Sequence, residues 1–272
     1  MTRFNRPFLS PLIIASILVL LVLPQSLHPL PAQDTPTEPT VATFDQLLEE
    51  ITLPNCEKAI AGYKTLLQAN PNSYEILYKL ANTYIHIIEL KTSALLVEKD
   101  EYKPLLKDLG KTANDYAKKA HQLNPNGKEA IAAELLSYGY YSASFGIVKA
   151  IFKGAAGTYK DLANTLIKLD DKYLDALGYR ALGKLYHAAP WPVGSSSKAL
   201  KFFRKATQTY YNSLYSHYYV GVLLFKDDQY NQAEKEFKFV ISASPSPSEK
   251  HIIQAYKDSA QNYLKKIAKE RD

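Results

Sequence analysis

Three thirteen-residue stretches decide the fold: AIAGYKTLLQANP at residues 59–71, ANDYAKKAHQLNP at residues 113–125 and AEKEFKFVISASP at residues 233–245. Each begins with Ala, has Tyr, Ala or Phe four residues later, has Leu, Ala or Val seven residues later, and ends on Pro. Positions four and seven residues apart share one face of an α-helix, and Pro ends a helix. The pattern predicts a recurring helix that packs closely against a neighbour.

A fourth copy begins at Ala199, continues with Phe203 and Ala206, and has Tyr211 where the others have Pro. A second pattern predicts a partner helix beside these stretches. It consists of an apolar residue directly followed by a small residue, with a large residue three positions after the small one. Four such helices in series, three of them preceded by a partner segment of this kind, are a strong sign of internal repetition. The partner segments contain Leu77, Leu80, Ala81 and Tyr84; Tyr179, Leu182, Gly183 and Tyr186; and Val220, Gly221 and Leu224.

Paired helices of this type are the unit of the tetratricopeptide repeat, so we predict an all-α, irregular tetratricopeptide-repeat solenoid over residues 54–270. The separation of the helix stops falls along the chain, from 54 residues between Pro71 and Pro125 to 34 residues between Tyr211 and Pro245. Four to five unequal helix pairs are therefore expected. A last amphipathic helix over about residues 248–269 is expected to cap the stack.

The N-terminal segment predicts export. Arg3 and Arg6 precede a nearly unbroken apolar run over residues 12–23, which Pro24 ends. The sequence leaves two alternatives for residues 1–33, a cleaved signal peptide or an uncleaved signal anchor, and both place the body on the periplasmic or extracytoplasmic side, either soluble or attached to the membrane. Residues 34–53 are polar and Pro-rich and are interpreted as a tether.

The formal net charge is +6, and residues 34–55 contain acids but no base. The basic surplus therefore lies in the repeats and favours an anionic partner. Nucleic acid is not expected, because dense Lys/Arg runs are absent from the sequence. Cys56 is the only cysteine, so no intramolecular disulfide forms, and it is interpreted as a small hydrophobic residue at a helix start.

The sequence shows no motif for catalysis, a metal or a cofactor. The six histidines form no His-Glu-x-x-His motif and no metal-ligand spacing with Cys56. Residues 178–185 fit Gly-x4-Gly-Lys, but Leu185 replaces the Ser/Thr that would bind magnesium, and the match lies within a predicted helix. We therefore expect a binding protein that is not an enzyme.

The first helices of the pairs are expected to line a concave groove, and their outward positions predict a basic, Tyr-rich face. Arg and Lys donate charge-assisted hydrogen bonds to carboxylates, and Tyr adds a rigid apolar surface. The alternative is that the charges are solvated and the tyrosines pack between helices. Trp191, in a Pro-flanked loop, is either a staple under that loop or an exposed anchor for a partner. The candidate residues are Tyr78, Asn82, His86, Tyr140, Arg180, Lys184, His187, Tyr218 and Trp191.

Residues 181–206, ALGKLYHAAPWPVGSSSKALKFFRKA, resemble the central signature of the T component associated with TRAP transporters. In that family a Leu-Gly-x-x-Tyr helix leads to a Pro-rich loop and then to a Lys-Ala-x-x-x-Phe-x-x-Ala helix. The resemblance extends more loosely over residues 54–245. It implies a helical periplasmic protein that forms oligomers and handles a small ligand for a transporter. The lipobox typical of such proteins is absent from this sequence.

Two functions follow from the sequence. The first is an extracytoplasmic binding module, such as a transporter accessory, that captures a small acidic or amphipathic ligand. The alternative is a scaffold that recruits a protein or peptide partner in the cell envelope. An enclosed apolar pocket would favour the small ligand, and an open basic groove would favour a peptide.

Overall fold

The computed structural model describes residues 39–94, 99–152 and 154–271, and all regular secondary structure in these ranges is helical. There are twelve α-helices in this part of the chain, with one short 3-10 turn (Asp100–Tyr102) before the fourth. The helices are α1 (Val41–Leu47), α2 (Leu53–Ala69), α3 (Tyr74–Thr92), α4 (Lys103–Leu123), α5 (Lys128–Ala143), α6 (Ile147–Phe152), α7 (Ala155–Leu169), α8 (Tyr173–Ala188), α9 (Ser196–Thr209), α10 (Leu214–Lys226), α11 (Tyr230–Ser242) and α12 (Ile253–Arg271).

The helices pack as a series of consecutive pairs: α3 with α4, α5 with α7, α8 with α9, and α10 with α11. Helix α2 precedes the first pair and α12 follows the last. First helices also contact the first helix of the next pair, as α3 contacts α5 and α5 contacts α8. These contacts join the pairs into one array, which confirms the predicted all-α tetratricopeptide-type solenoid with a C-terminal helix.

The small residues of the repeated pattern lie where helices approach most closely. Ala199 and Ala206 of α9 are fully buried, and so is Phe203 between them. A Cβ atom added to Gly183 of α8 would lie 2.9 Å from the ring of Phe203, and one added to Gly221 of α10 would lie 2.8 Å from the ring of Phe237. Glycine in the first helix therefore makes room for the aromatic residue of the second.

Polar residues begin several of these helices. The side chains of Thr52, Ser73, Ser195 and Ser213 each accept a hydrogen bond from a backbone N–H in the first turn of α2, α3, α9 and α10. Such caps satisfy backbone donors that have no partner within the helix.

The first turn of α8 is left-handed. Leu174, Asp175 and Ala176 have φ between 43° and 60°, although none of them is glycine. This conformation costs on the order of 1–2 kcal/mol per residue, so surrounding contacts must stabilise it. Two serines, Ser246 and Ser248, donate hydrogen bonds to the buried carboxylate of Asp175 and supply part of that stabilisation.

The segment interpreted as a tether contains helix α1, which packs on α2. The ring of Phe44 contacts that of Tyr63 at 5.6 Å, and Lys79 Nζ lies 2.8 Å from the Asp45 carboxylate. An apolar contact and an ion pair therefore attach α1 to α2 and α3, so this part of the segment is not a free tether. The predicted signal segment 1–33 and residues 34–38 lie outside the described residues. None of the described helices meets the length and hydropathy needed to cross a membrane.

Candidate functional site

Helices α3, α5, α6, α7 and α8 line a half-open cavity of about 190 Å³. Tyr215 of α10 and Ile252, just before α12, also contribute to its wall. The ends of the repeat array thus meet at the cavity: α3 lies near the start of the described chain and Ile252 lies beside the last helix. No short segment of sequence contains this site.

Most of the cavity wall is apolar and small. Alanine lines much of α7 and α8, so the backbones of these helices approach the cavity without filling it. Leu136, Tyr140 and Tyr159 supply the larger apolar surfaces. Burial raises the pKa of Tyr140 well above its ordinary value, and the nearby carboxylate of Glu89 adds to the shift. Tyr140 is therefore neutral and donates a hydrogen bond. The alanines of the wall are Ala94, Ala143, Ala150, Ala155, Ala156, Ala181, Ala188 and Ala189.

Arg180 of α8 lines the cavity but is not a solvated surface charge. Its side chain is 11% exposed, and Nη1 donates to the carbonyl oxygen of Leu174 at 3.1 Å. The same nitrogen lies 3.8 Å from Asp175 and 3.6 Å from Glu249, and the guanidinium lies 4.4 Å from the ring centre of Tyr215. Burial alone would lower the pKa of Arg180, but the charges of Glu249 and Asp175 raise it. The expectation that Arg180 faces open solvent in a groove is corrected by this buried ion pair.

Glu249 connects Arg180 to the start of α10. Its carboxylate accepts hydrogen bonds from the backbone N–H groups of Leu214 and Tyr215, at 2.9 and 3.2 Å, and from the Ser213 hydroxyl at 3.2 Å. An acid at a helix N-terminus is favoured by the helix dipole. Burial nevertheless raises the pKa of Glu249, because it outweighs the opposing charge of Arg180.

Lys184 follows Arg180 by one helical turn and lines the same wall. Its ammonium group donates to the Tyr219 hydroxyl at 3.1 Å and lies 4.9 Å from the centre of that ring. Positive charge is thus present at two heights along one wall. The charge of Arg180 is paired with Asp175 and Glu249, so Lys184 is the cation that a ligand carboxylate in the cavity would meet.

The opposite wall ends in a hydrogen-bonded cluster around Glu89 of α3. Oε2 of Glu89 lies 2.7 Å from His251 Nε2 and 3.4 Å from His86 Nδ1, and Oε1 accepts from the Tyr140 hydroxyl at 3.2 Å. Burial would raise the pKa of Glu89, but the hydrogen bonds from His251 and His86 lower it to about 2. Glu89 is therefore a buried, charged acceptor.

The structure brings together only part of the predicted groove. Tyr140, Arg180 and Lys184 line the cavity, and His86 lies beside it through Glu89. Other predicted residues lie elsewhere. Tyr78 packs against Tyr74, His187 packs against Tyr219, and Asn82 is half-buried outside the cavity wall.

The predicted groove position of Tyr218 is corrected. Tyr218 is buried, its ring contacts that of Tyr256 at 5.1 Å, and its hydroxyl lies 2.8 Å from that of Ser259. It therefore joins α10 to α12. Trp191 is 88% exposed and does not line the cavity, so the alternative of a staple under its loop is not what the structure shows.

Sequence reasoning missed Glu89, His251, Asp175 and Glu249. One signal was available for Glu89, which follows the apolar stretch Tyr84–Ile88 with His86 inside it. An acid on the buried face of a helix requires a polar partner. The identity of that partner was hidden, because His251 lies 162 residues further along the chain.

The fold places the chain among tetratricopeptide-type helical-repeat proteins. Among solved structures it resembles a thermophilic tetratricopeptide-repeat protein, TTC0263 of Thermus thermophilus, with a TM-score of 0.58 and 14% identity over 82% of this chain and 99% of that one. Two structures of MamA align with TM-scores of 0.44 and 0.45, at 21% and 22% identity, over 77% and 78% of this chain and 93% and 91% of theirs. No protein-family profile and no curated protein sequence matches the chain.

Proposed function

We propose that the protein is a binding module that holds a segment of a partner protein against its first helices, with one apolar side chain of that segment in the cavity. The observation that carries this proposal is the cavity itself, which is apolar over most of its wall and has Arg180 and Lys184 along one side. Its repeats supply rigid elements for such a site.

The size of the cavity favours a side chain over a whole ligand. Its volume is about 190 Å³. An apolar cavity of roughly 150 Å³ accepts benzene, whereas pockets for drug-sized ligands measure roughly 300–1,000 Å³. One aromatic or branched aliphatic side chain therefore fits, and the rest of the partner would lie outside the cavity.

The charges of the wall favour a carboxylate next to that side chain. Lys184 carries its charge at the cavity wall, and one turn earlier on α8 lies Arg180, whose charge is already paired with Asp175 and Glu249. A carboxylate placed here would gain charge-assisted hydrogen bonds in a partly desolvated setting. We therefore infer that the partner segment has a large apolar residue adjacent to Asp, Glu or its own C-terminal carboxylate.

Selection from a random peptide library tests this function. Peptides enriched on the wild-type protein are expected to share an apolar residue beside a carboxylate and to bind with micromolar dissociation constants in fluorescence anisotropy. Ala156→Phe, which fills the cavity from α7, should weaken binding at least tenfold. Ala61→Phe makes the same change at an exposed position of α2 and should leave affinity unchanged. Enriched peptides that bind Ala156→Phe as tightly as the wild type would overturn the proposal.

A second candidate function is capture of a small amphipathic carboxylate, as the resemblance of residues 181–206 to a transporter component implies. The combination of an apolar wall with Lys184 supports it. Isothermal titration with hexanoate and with hexanol separates the two functions. Submillimolar binding of hexanoate alone would favour the small ligand, and no binding of either would favour the peptide segment.

Export through residues 1–33 is also part of the proposal. It is supported by Arg3 and Arg6 ahead of the apolar run over residues 12–23. Cell fractionation should find the full chain outside the cytoplasm and a chain lacking residues 1–33 inside it. Equal distribution of both chains would contradict export.

A further inference from the structure

Three potential metal ligands meet at the edge of the cavity. His86 and Glu89 are three residues apart on α3, so their side chains share one helix face. His251 reaches the same point from the segment that precedes α12. No two of the three donor atoms are more than 4.8 Å apart, and the two imidazole rings lie edge to face with their centres 4.9 Å apart.

We propose that His86, Glu89 and His251 bind a divalent transition-metal ion, with Zn²⁺ the best fit. Nothing in the proposed partner binding requires this site, so either proposal can fail alone. Two imidazoles and one carboxylate are a ligand set that zinc accepts, with a fourth position left for water or another ligand. Imidazole ligands disfavour Mg²⁺ and Ca²⁺, which prefer oxygen.

The distances are close to those that a metal requires. Zinc bonds of roughly 2.0–2.2 Å at tetrahedral angles separate two ligand atoms by about 3.3 Å. His86 Nδ1 lies 3.4 Å from Glu89 Oε2, and His251 Nε2 lies 2.7 Å from the same oxygen. Small side-chain rotations would therefore open the space for the ion. The ion would replace the protons of the hydrogen bonds that now link Glu89 to the two histidines.

The surroundings support the carboxylate as a ligand. Tyr140 donates to the other oxygen of Glu89 at 3.2 Å, an interaction of the kind that orients metal-bound carboxylates. The side chain of His251 is only 4% exposed, and its Nδ1 has no hydrogen-bond partner within the described structure. Nδ1 of this buried ring is therefore unsatisfied, and the polar contact of the ring is the one between its Nε2 atom and Glu89.

The fourth coordination position of the proposed ion would face the cavity. Glu89 and Tyr140 both line the cavity, so the fourth ligand would approach from the cavity side. A bound ion would also join α3 to the segment before α12, across 162 residues of sequence. Metal binding would thus close the repeat array at the site where the partner segment is proposed to enter.

Zn²⁺ and Co²⁺ titrations of the full-length chain, freed of metal with a chelator, test the site. We expect one equivalent of Zn²⁺ to bind with a micromolar or lower dissociation constant and to raise Tm, while Mg²⁺ has no effect. Co²⁺ should give the intense visible absorption of a four- or five-coordinate ion. Absence of stoichiometric Zn²⁺ binding by the wild-type protein would overturn the proposal.

Variants identify the ligands. Glu89→Gln and His251→Ala should abolish binding, and His86→Ala should weaken it at least tenfold. The matched control is His121→Ala, because His121 also pairs with one glutamate and its side chain is 26% exposed, compared with 25% for His86. If Glu89→Gln and His251→Ala fail to fold, the zinc affinities of His86→Ala and His121→Ala are compared instead. Equal loss of zinc affinity in these two variants, or no loss in either, would contradict the assignment.

Discussion

Arg180 and Glu249 form a buried pair, with Nη1 of the arginine 3.6 Å from Oε1 of the glutamate. Glu249 also caps the N-terminus of α10 through the backbone of Leu214 and Tyr215. A residue that lines the candidate site thus also stabilises the fold. The two roles must be separated in any experiment on binding.

Arg180→Ala is expected to destabilise the protein strongly. The change leaves the Glu249 carboxylate buried without its cation, and breaking a buried pair in this way costs roughly 3–5 kcal/mol. The free energy of unfolding from urea titration measures the loss. Lys205→Ala, an exposed change on α9, should stay within about 0.5 kcal/mol of the wild type. A loss below about 1 kcal/mol in Arg180→Ala would contradict the buried pair.

The destabilisation by Arg180→Ala should also depend on pH. Burial already raises the pKa of Glu249, and removal of the cation raises it further. When the pKa of an acid is higher in the folded chain than in the unfolded chain, ionisation of the acid lowers the free energy of unfolding. This loss is complete above the folded-state pKa and disappears below the unfolded-state pKa. The difference between variant and wild type should therefore shrink as pH falls from 8 towards 4. A constant difference would show that Glu249 is not the group left unpaired.

Ala206→Leu should overpack the crossing between α9 and its neighbours. Ala206 is fully buried, so the added carbons must displace other side chains at a cost of roughly 1–3 kcal/mol. The measurement is again the free energy of unfolding in urea. Ala61→Leu places the same side chain on the exposed face of α2 and should be nearly neutral. A neutral Ala206→Leu would mean that the register of α9 is wrong.

Cys56 should resist thiol reagents until the protein unfolds. It is fully buried, and burial, with smaller contributions from Glu57 and Glu89, raises the pKa of its thiol to about 11. Mass spectrometry after iodoacetamide treatment at pH 8 should find no label in the native protein and complete label in urea. Since the folded thiol keeps its proton to a higher pH than the unfolded one, this group lowers stability as pH rises from about 9 to 11. Rapid labelling of the native protein would contradict the burial of Cys56 in α2.

Trp191 should report a solvent-exposed indole. As the only tryptophan, it accounts for all indole fluorescence, and the residue is 88% exposed. Its emission should be red-shifted and readily quenched by iodide. Trp191→Ala should alter stability by no more than about 0.5 kcal/mol. A blue-shifted, protected emission would mean that the loop folds over the indole.

The sequence by itself determined the local structure and the repeat type. Ala199, Phe203 and Ala206 lie on one face of α9 because helical geometry places residues four and seven positions apart together. Gly183 allows Phe203 to approach, and Ser195 begins the helix. The spacings within each helix are short, so pattern alone predicts them, whereas the contact of Gly183 with Phe203 depends on how the two helices pack.

Tertiary structure decided the site. Arg180 occupies an outward position in the repeat pattern, yet the left-handed turn at residues 174–176 and the return of Glu249 bury it. His251 meets Glu89 because the packing of all the intervening helices brings residues 162 apart together. Helical periodicity fixes which face a side chain lies on. The packing angles between successive helices determine which distant residues contact that face.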